Sequence, residues 1–78
     1  MNDLRYTMII EPAEDAQGPY FGAYFPDLPG CGTTGRTLEE LRRNAREALE
    51  AHIGALQATG QPVPHPSVAV EEIAVDVA

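Results

Sequence analysis

Cys31 is the residue whose type best suits nucleophilic chemistry: it is the only cysteine and stands between Gly30 and Gly32. A thiol attacks as the thiolate, so it needs a neighbouring base or a positive environment. The bases on offer are His52 and His65, and the sequence places neither beside Cys31. The expectation for Cys31 is therefore a small, half-buried structural residue. Asp3, Glu11 and Asp27 are carboxylates of the kind that hold magnesium in nucleases, but no spacing converges them, and Asp27 between Pro26 and Leu28 reads as a turn residue. The run Gly30-Cys31-Gly32-Thr33-Thr34-Gly35 has the glycines of a phosphate loop without its lysine or the spacing of a dinucleotide fingerprint. The histidines are far apart, with no Cys or His partner at metal-ligand spacing. No catalytic set, metal or cofactor is expected, and the reading is that of a binding protein.

Seventy-eight residues make one domain, residues 1–78, without room for a second core. So short a chain is marginal alone and usually relies on disulfides, a metal or a partner subunit. With one cysteine an internal disulfide is excluded, which leaves association. The net charge is −7, from twelve acidic residues against five arginines. Phosphate backbones repel such a surface, so direct nucleic-acid binding is not expected, whereas a basic protein partner would be attracted. No leader-like or membrane-spanning run is present, and a lone free thiol fits a cytoplasmic protein.

These residues must be carried by a few elements. Leu4 to Glu11 alternates, with Leu4, Tyr6, Met8 and Ile10 on one face, and reads as a strand. Pro12 to Gly18 reads as a hairpin loop, and Tyr20 to Phe25 as a second, antiparallel strand closed by Pro26. Leu28 to Thr34 suits a short third strand. Thr37 and Glu40 form a capping-box pattern at a helix start. Leu38, Leu41, Ala45, Ala48, Leu49, His52, Ile53 and Leu56 then make one apolar stripe. Glu39–Arg43, Arg43–Glu47 and Arg46–Glu50 are spaced for surface ion pairs, so Arg42, Arg43 and Arg46 read as a solvated face. Gly60 ends the helix, and Pro62, Pro64 and Pro66 prevent its return. Val68 to Val77 reads as a last strand whose apolar side switches at Glu71-Glu72, where a bulge or a change of packing partner would reconcile the two halves. One helix covers one sheet face. Ile9, Phe21, Phe25 and the terminal valines would leave the other face apolar, and self-association is expected, face to face or through the last strands. Tyr20 and Tyr24 share one face of the second strand, Phe21 and Phe25 the other; one pair should be core and the other a contact patch.

The stretch Tyr24-Phe25-Pro26-Asp27-Leu28-Pro29-Gly30-Cys31, then Gly35-Arg36-Thr37-Leu38-Glu39-Glu40 and Asn44-Ala45-Arg46-Glu47-Ala48, resembles the HicB antitoxin family, and the likeness continues to Gly60-Gln61-Pro62-Val63-Pro64. The resemblance implies an α+β fold of order β-β-β-α-β, a partial RNase H-like, antiparallel-rich sheet with one long helix on one face and no nuclease site. It implies that Pro26, Asp27, Leu28, Pro29, Gly30, Cys31, Thr37 and Glu40 are structural. It also implies a partner: a HicA-type toxin, small, basic and mRNA-cleaving, which the family occludes. The acids Glu71, Glu72 and Asp76, with those of the first hairpin and with Tyr20 and Tyr24, are the candidate contact residues. Longer members carry a C-terminal DNA-binding segment; here the sequence ends at Ala78 after the last strand, so autoregulation through DNA is not expected.

Overall fold

A computed structural model describes residues 3–78; Met1 and Asn2, which begin the stretch read above for a leader, lie outside the described residues. Three antiparallel strands, β1 (Ile9–Asp15), β2 (Gly18–Tyr24) and β3 (Gly32–Gly35), are followed by one long helix, α1 (Leu38–Ala58). The sheet order is β1-β2-β3, with β2 in the middle. The class is α+β.

The first hairpin is tighter than its sequence suggests. Asp15 pairs with Gly18, so the connection is only Ala16-Gln17, and β1 runs straight through Pro12. Proline is tolerated there because β1 is an edge strand, whose outward N–H needs no partner. The Asp15 carboxylate accepts a hydrogen bond from the Gln17 N–H at 2.9 Å, and Gly18 supplies the positive φ of 112° that closes the turn. The strand begins later than the alternation predicts, because Leu4 to Met8 has no ladder neighbour. The loop from Pro26 to Gly30 is locked by three backbone bonds among Phe25, Leu28 and Cys31, which delays β3 to Gly32.

Directly opposed residues in an antiparallel pair share a face. Phe21, Ala23, Thr33 and Gly35 therefore face the helix, together with Ile10 and Pro12, while Ile9, Glu11, Ala13, Tyr20, Gly22, Tyr24, Gly32 and Thr34 form the outer face. The helix rests on β3 and β2 and does not reach β1. Its close seat is made by Gly35: a Cβ there would lie 2.6 Å from the Leu41 backbone nitrogen. Leu41 and Leu28 are fully enclosed, and Phe25, Leu28, Cys31 and Ala45 form the core, flanked by Tyr6, Met8, Leu49 and Leu56.

Several expectations change here. Phe21 and Phe25 lie on the helix side, with Phe25 buried, so the outer face mixes Ile9, Ala13, tyrosines and glycines with Glu11 and Thr34 and is not a continuous apolar layer. The apolar surface left bare lies instead along the β1 side, at Leu4 and Ile10, and in the C-terminal segment. Val68 to Val77 is not a strand: it is extended and exposed, with no ladder and hence no bulge at Glu71-Glu72. A strand exists only against a neighbour, and the segment has none among the described residues. Leu38, predicted on the buried stripe, is 39% exposed. The helix-surface pairs are open as well. Among the described residues the ion pair formed is Arg36–Asp15. Long exposed side chains gain too little from pairing in water to be held together.

Candidate functional site

The start of α1 is built as the sequence predicts, with one change. Thr37 is the N-cap, its hydroxyl accepting from the Glu40 N–H at 3.0 Å. The Glu40 carboxylate, however, accepts from the Arg36 N–H at 3.2 Å and not from Thr37, so the box is offset by one residue.

Nothing in the sequence marks Arg36, yet it joins three elements. Its guanidinium donates to the Asp15 carboxylate at 2.7 Å and to the carbonyls of Gly18 and Pro19, and lies 5.3 Å over the Tyr20 ring. The hydrogen bond from Arg36 holds the Asp15 carboxyl below its usual range, and the Asp15 bond in turn raises Arg36. A planar, always-charged donor fork suits this multi-point contact, where a lysine would not. The available signal was weak: an arginine one residue before an N-cap, with Glu39 and Glu40 at helical spacing but no cue that Asp15 and Tyr20 lie beside it.

Asp27 is also committed. Its carboxylate accepts from the Ser67 N–H at 3.0 Å, the Ser67 hydroxyl at 2.7 Å and the Val68 N–H at 3.2 Å. Those bonds, Ser67 foremost, favour the charged form and lower its pKa. Asp27 keeps the turn position expected of it, in the turn closed by the Leu28 N–H on the Phe25 carbonyl, and its carboxylate adds a tether across 40 residues. The Tyr6 hydroxyl donates to the Pro64 carbonyl and holds the same segment from the other side. Asp3, Glu11 and Asp27 are not assembled: among the described residues no three His, Cys, Asp or Glu side chains converge on one point.

Cys31 is buried, its thiol 3.7 Å from the Ala48 carbonyl, and burial pushes its pKa up. That is the opposite of the low pKa a nucleophile needs. Leu28 and Cys31 anchor the Pro26-to-Cys31 loop in the core, Gly30 takes its positive φ of 87°, and Asp27 faces outward to the tether.

Two groups of exposed residues remain from the predicted contact set. On the outer sheet face Tyr24 is 46% exposed, whereas Tyr20 is partly covered by Arg36. Glu71, Glu72 and Asp76 are exposed on the C-terminal segment, which among the described residues has no hydrogen bond to the body beyond the Val68 N–H. The structure does not bring these two groups together. What the geometry offers is a small acidic scaffold with an exposed C-terminal segment that carries both acidic and apolar side chains.

The chain belongs to the HicB-like antitoxin family of bacterial toxin–antitoxin systems, whose model matches residues 6–77. It is similar to a UPF0150 protein of Thermoplasma acidophilum, 38% identical over 92% of this chain and 97% of the relative. A UPF0150 protein of Synechocystis is 37% identical over 90% and 85%. An uncharacterized 14.9 kDa protein in the rep-hol intergenic region of Haemophilus phage HP1 is 33% identical over 78% of this chain and 43% of its own length. No solved structure matches. Among the described residues no helix is long and apolar enough to cross a membrane.

Proposed function

We propose that this protein neutralises a HicA-type toxin, a small basic mRNA-cleaving protein, in the cytoplasm, by binding over its RNA-facing surface without catalysing a reaction. The observation that carries this reading is the coincidence of antitoxin-family membership with a net charge of −7. A surface that binds RNA is basic, and an acidic protein competes for it by the same charge complementarity. Glu71, Glu72 and Asp76 supply an exposed share of that charge, on the segment that follows the Asp27 contact with Ser67 and Val68. Tyr24 and Glu11 on the outer sheet face supply a second contact. The same reading includes self-association and a partial RNase H-like sheet whose last strand has no partner in the single chain.

The test is binding of a purified toxin at increasing salt, with RNA cleavage as a parallel readout. Affinity should fall at least tenfold between low and near-molar ionic strength, and Glu71→Lys, Glu72→Lys and Asp76→Lys together should restore cleavage. Binding indifferent to salt would remove the electrostatic mechanism, and absence of binding would remove the toxin as partner.

A further inference from the structure

Two extended segments of this chain have unpartnered backbones, and their side chains complement each other. The first is Leu4 to Met8, the lead-in to β1, which makes no backbone hydrogen bond among the described residues. Its alternation continues that of β1, so Leu4, Tyr6, Met8 and Ile10 face the helix side. Tyr6 and Met8 pack on the core, whereas Leu4 and Ile10 are exposed. Beside it runs a groove of about 930 Å³ floored by Met8, Phe25, Leu49 and Ile53, with Arg42, Arg46 and Glu50 on its helix wall.

The second segment is Ala69 to Ala78. Ile73, Val75 and Val77 recur with period two and are 86%, 80% and 89% exposed. A chain of this length is expected to have a radius of gyration of about 11.5 Å when compact, against 15.1 Å here. The arm is why. Its root is fixed by Asp27 on Ser67 and Val68, and Pro62, Pro64 and Pro66 stiffen the approach. That root directs the apolar row into solvent and away from the chain's own surface. An amphipathic strand so exposed is an aggregation hazard unless something pairs with it.

We propose that the arm of one copy, residues 69–78, adds as a strand along the Leu4-to-Ile10 edge of a second copy, and that the exchange is reciprocal. Strand addition to an open edge satisfies both backbones at once. With Ile73, Val75 and Val77 turned to the helix side, they cover Leu4 and Ile10 and enter the groove. Glu71 shares their face and meets Arg42 and Arg46, while Glu72 and Asp76 share the outer face with Arg5. Pro12 limits the docked stretch, because it offers no N–H to the incoming strand. The other edge is closed to this: β3 has four residues, and its Thr34 carbonyl already accepts from the Asn44 amide at 2.9 Å. Reciprocal exchange of an identical element gives a closed two-fold dimer.

The test uses the full chain alone, without toxin, so that its outcome is separate from that of toxin binding. Light scattering should give twice the 8.4 kDa chain mass or a multiple of it. In a mixture of isotopically labelled and unlabelled protein, methyl contacts from Ile73, Val75 and Val77 to Leu4, Met8 and Ile10 should run between chains. The double variant Ile73→Asp/Val75→Asp should weaken association at least a hundredfold while keeping the helical circular dichroism. A monomer would overturn the proposal, as would arm contacts within one chain. So would a dimer whose contacts lie elsewhere, arm to arm or across Tyr24.

Discussion

Gly35 and Gly54 should respond in opposite directions to the same substitution. At Gly35 an alanine Cβ would sit 2.6 Å from the Leu41 nitrogen, 2.8 Å from its Cα and 3.1 Å from its Cβ. Two of those atoms are backbone, so no side chain can rotate away, and the helix start must retreat by most of an ångström. Overpacking of this kind costs about 1–3 kcal/mol. The retreat also loosens the Thr37 cap, itself worth about 1 kcal/mol, giving about 2–4 kcal/mol for Gly35→Ala. A domain of this size has roughly 4–12 kcal/mol in all, and each kcal/mol moves Tm by roughly 4–8 °C. A fall of roughly 10–30 °C is expected. Gly54, in the interior of α1, has nothing within 4 Å of its would-be Cβ. There Ala removes backbone entropy from the unfolded chain and should stabilise by about 0.5–1 kcal/mol. Urea unfolding followed by helical circular dichroism, at one fixed protein concentration, reads both. A Gly35→Ala protein within about 0.5 kcal/mol of the parent, or a destabilised Gly54→Ala, would refute the close helix–sheet seat.

Three further outcomes follow from the same contacts. Thr37→Ala should cost about 1 kcal/mol, and Thr37→Ser much less, since serine keeps the oxygen that accepts from Glu40; urea midpoints check both. The Cys31 thiol should react with a disulfide reagent at neutral pH far more slowly than in urea, because it is buried with a raised pKa; equal rates would place it at the surface. The Asp27 tether should be fully formed above the ordinary aspartate pKa of about 3.9. It should be lost as pH falls below that through the lowered native value, because in this window the unfolded chain binds the proton more readily. Amide shifts of Ser67 and Val68 should follow this titration, and Asp27→Asn should abolish it.

Much of this protein is legible in order along the chain. Local rules read the aromatic β2, the Thr37 cap, the length of α1 and its stop before the three prolines, because each depends on neighbours within about four residues. The same holds for Leu41 and Ala45 as buried residues and Leu49 as a partly buried neighbour of the core, since period alone puts them on one stripe. What the chain order could not decide is which groups meet across space. Arg36 reaching Asp15 and Tyr20, and Asp27 holding Ser67 from 40 residues away, are products of the assembled fold. Alternation made Val68 to Val77 look like a strand, and the segment has the side chains of one, but strand formation is a pairing event. Side-chain period belongs to the sequence; the presence of a neighbour to complete the ladder is a property of the tertiary structure, and here the single chain does not provide it.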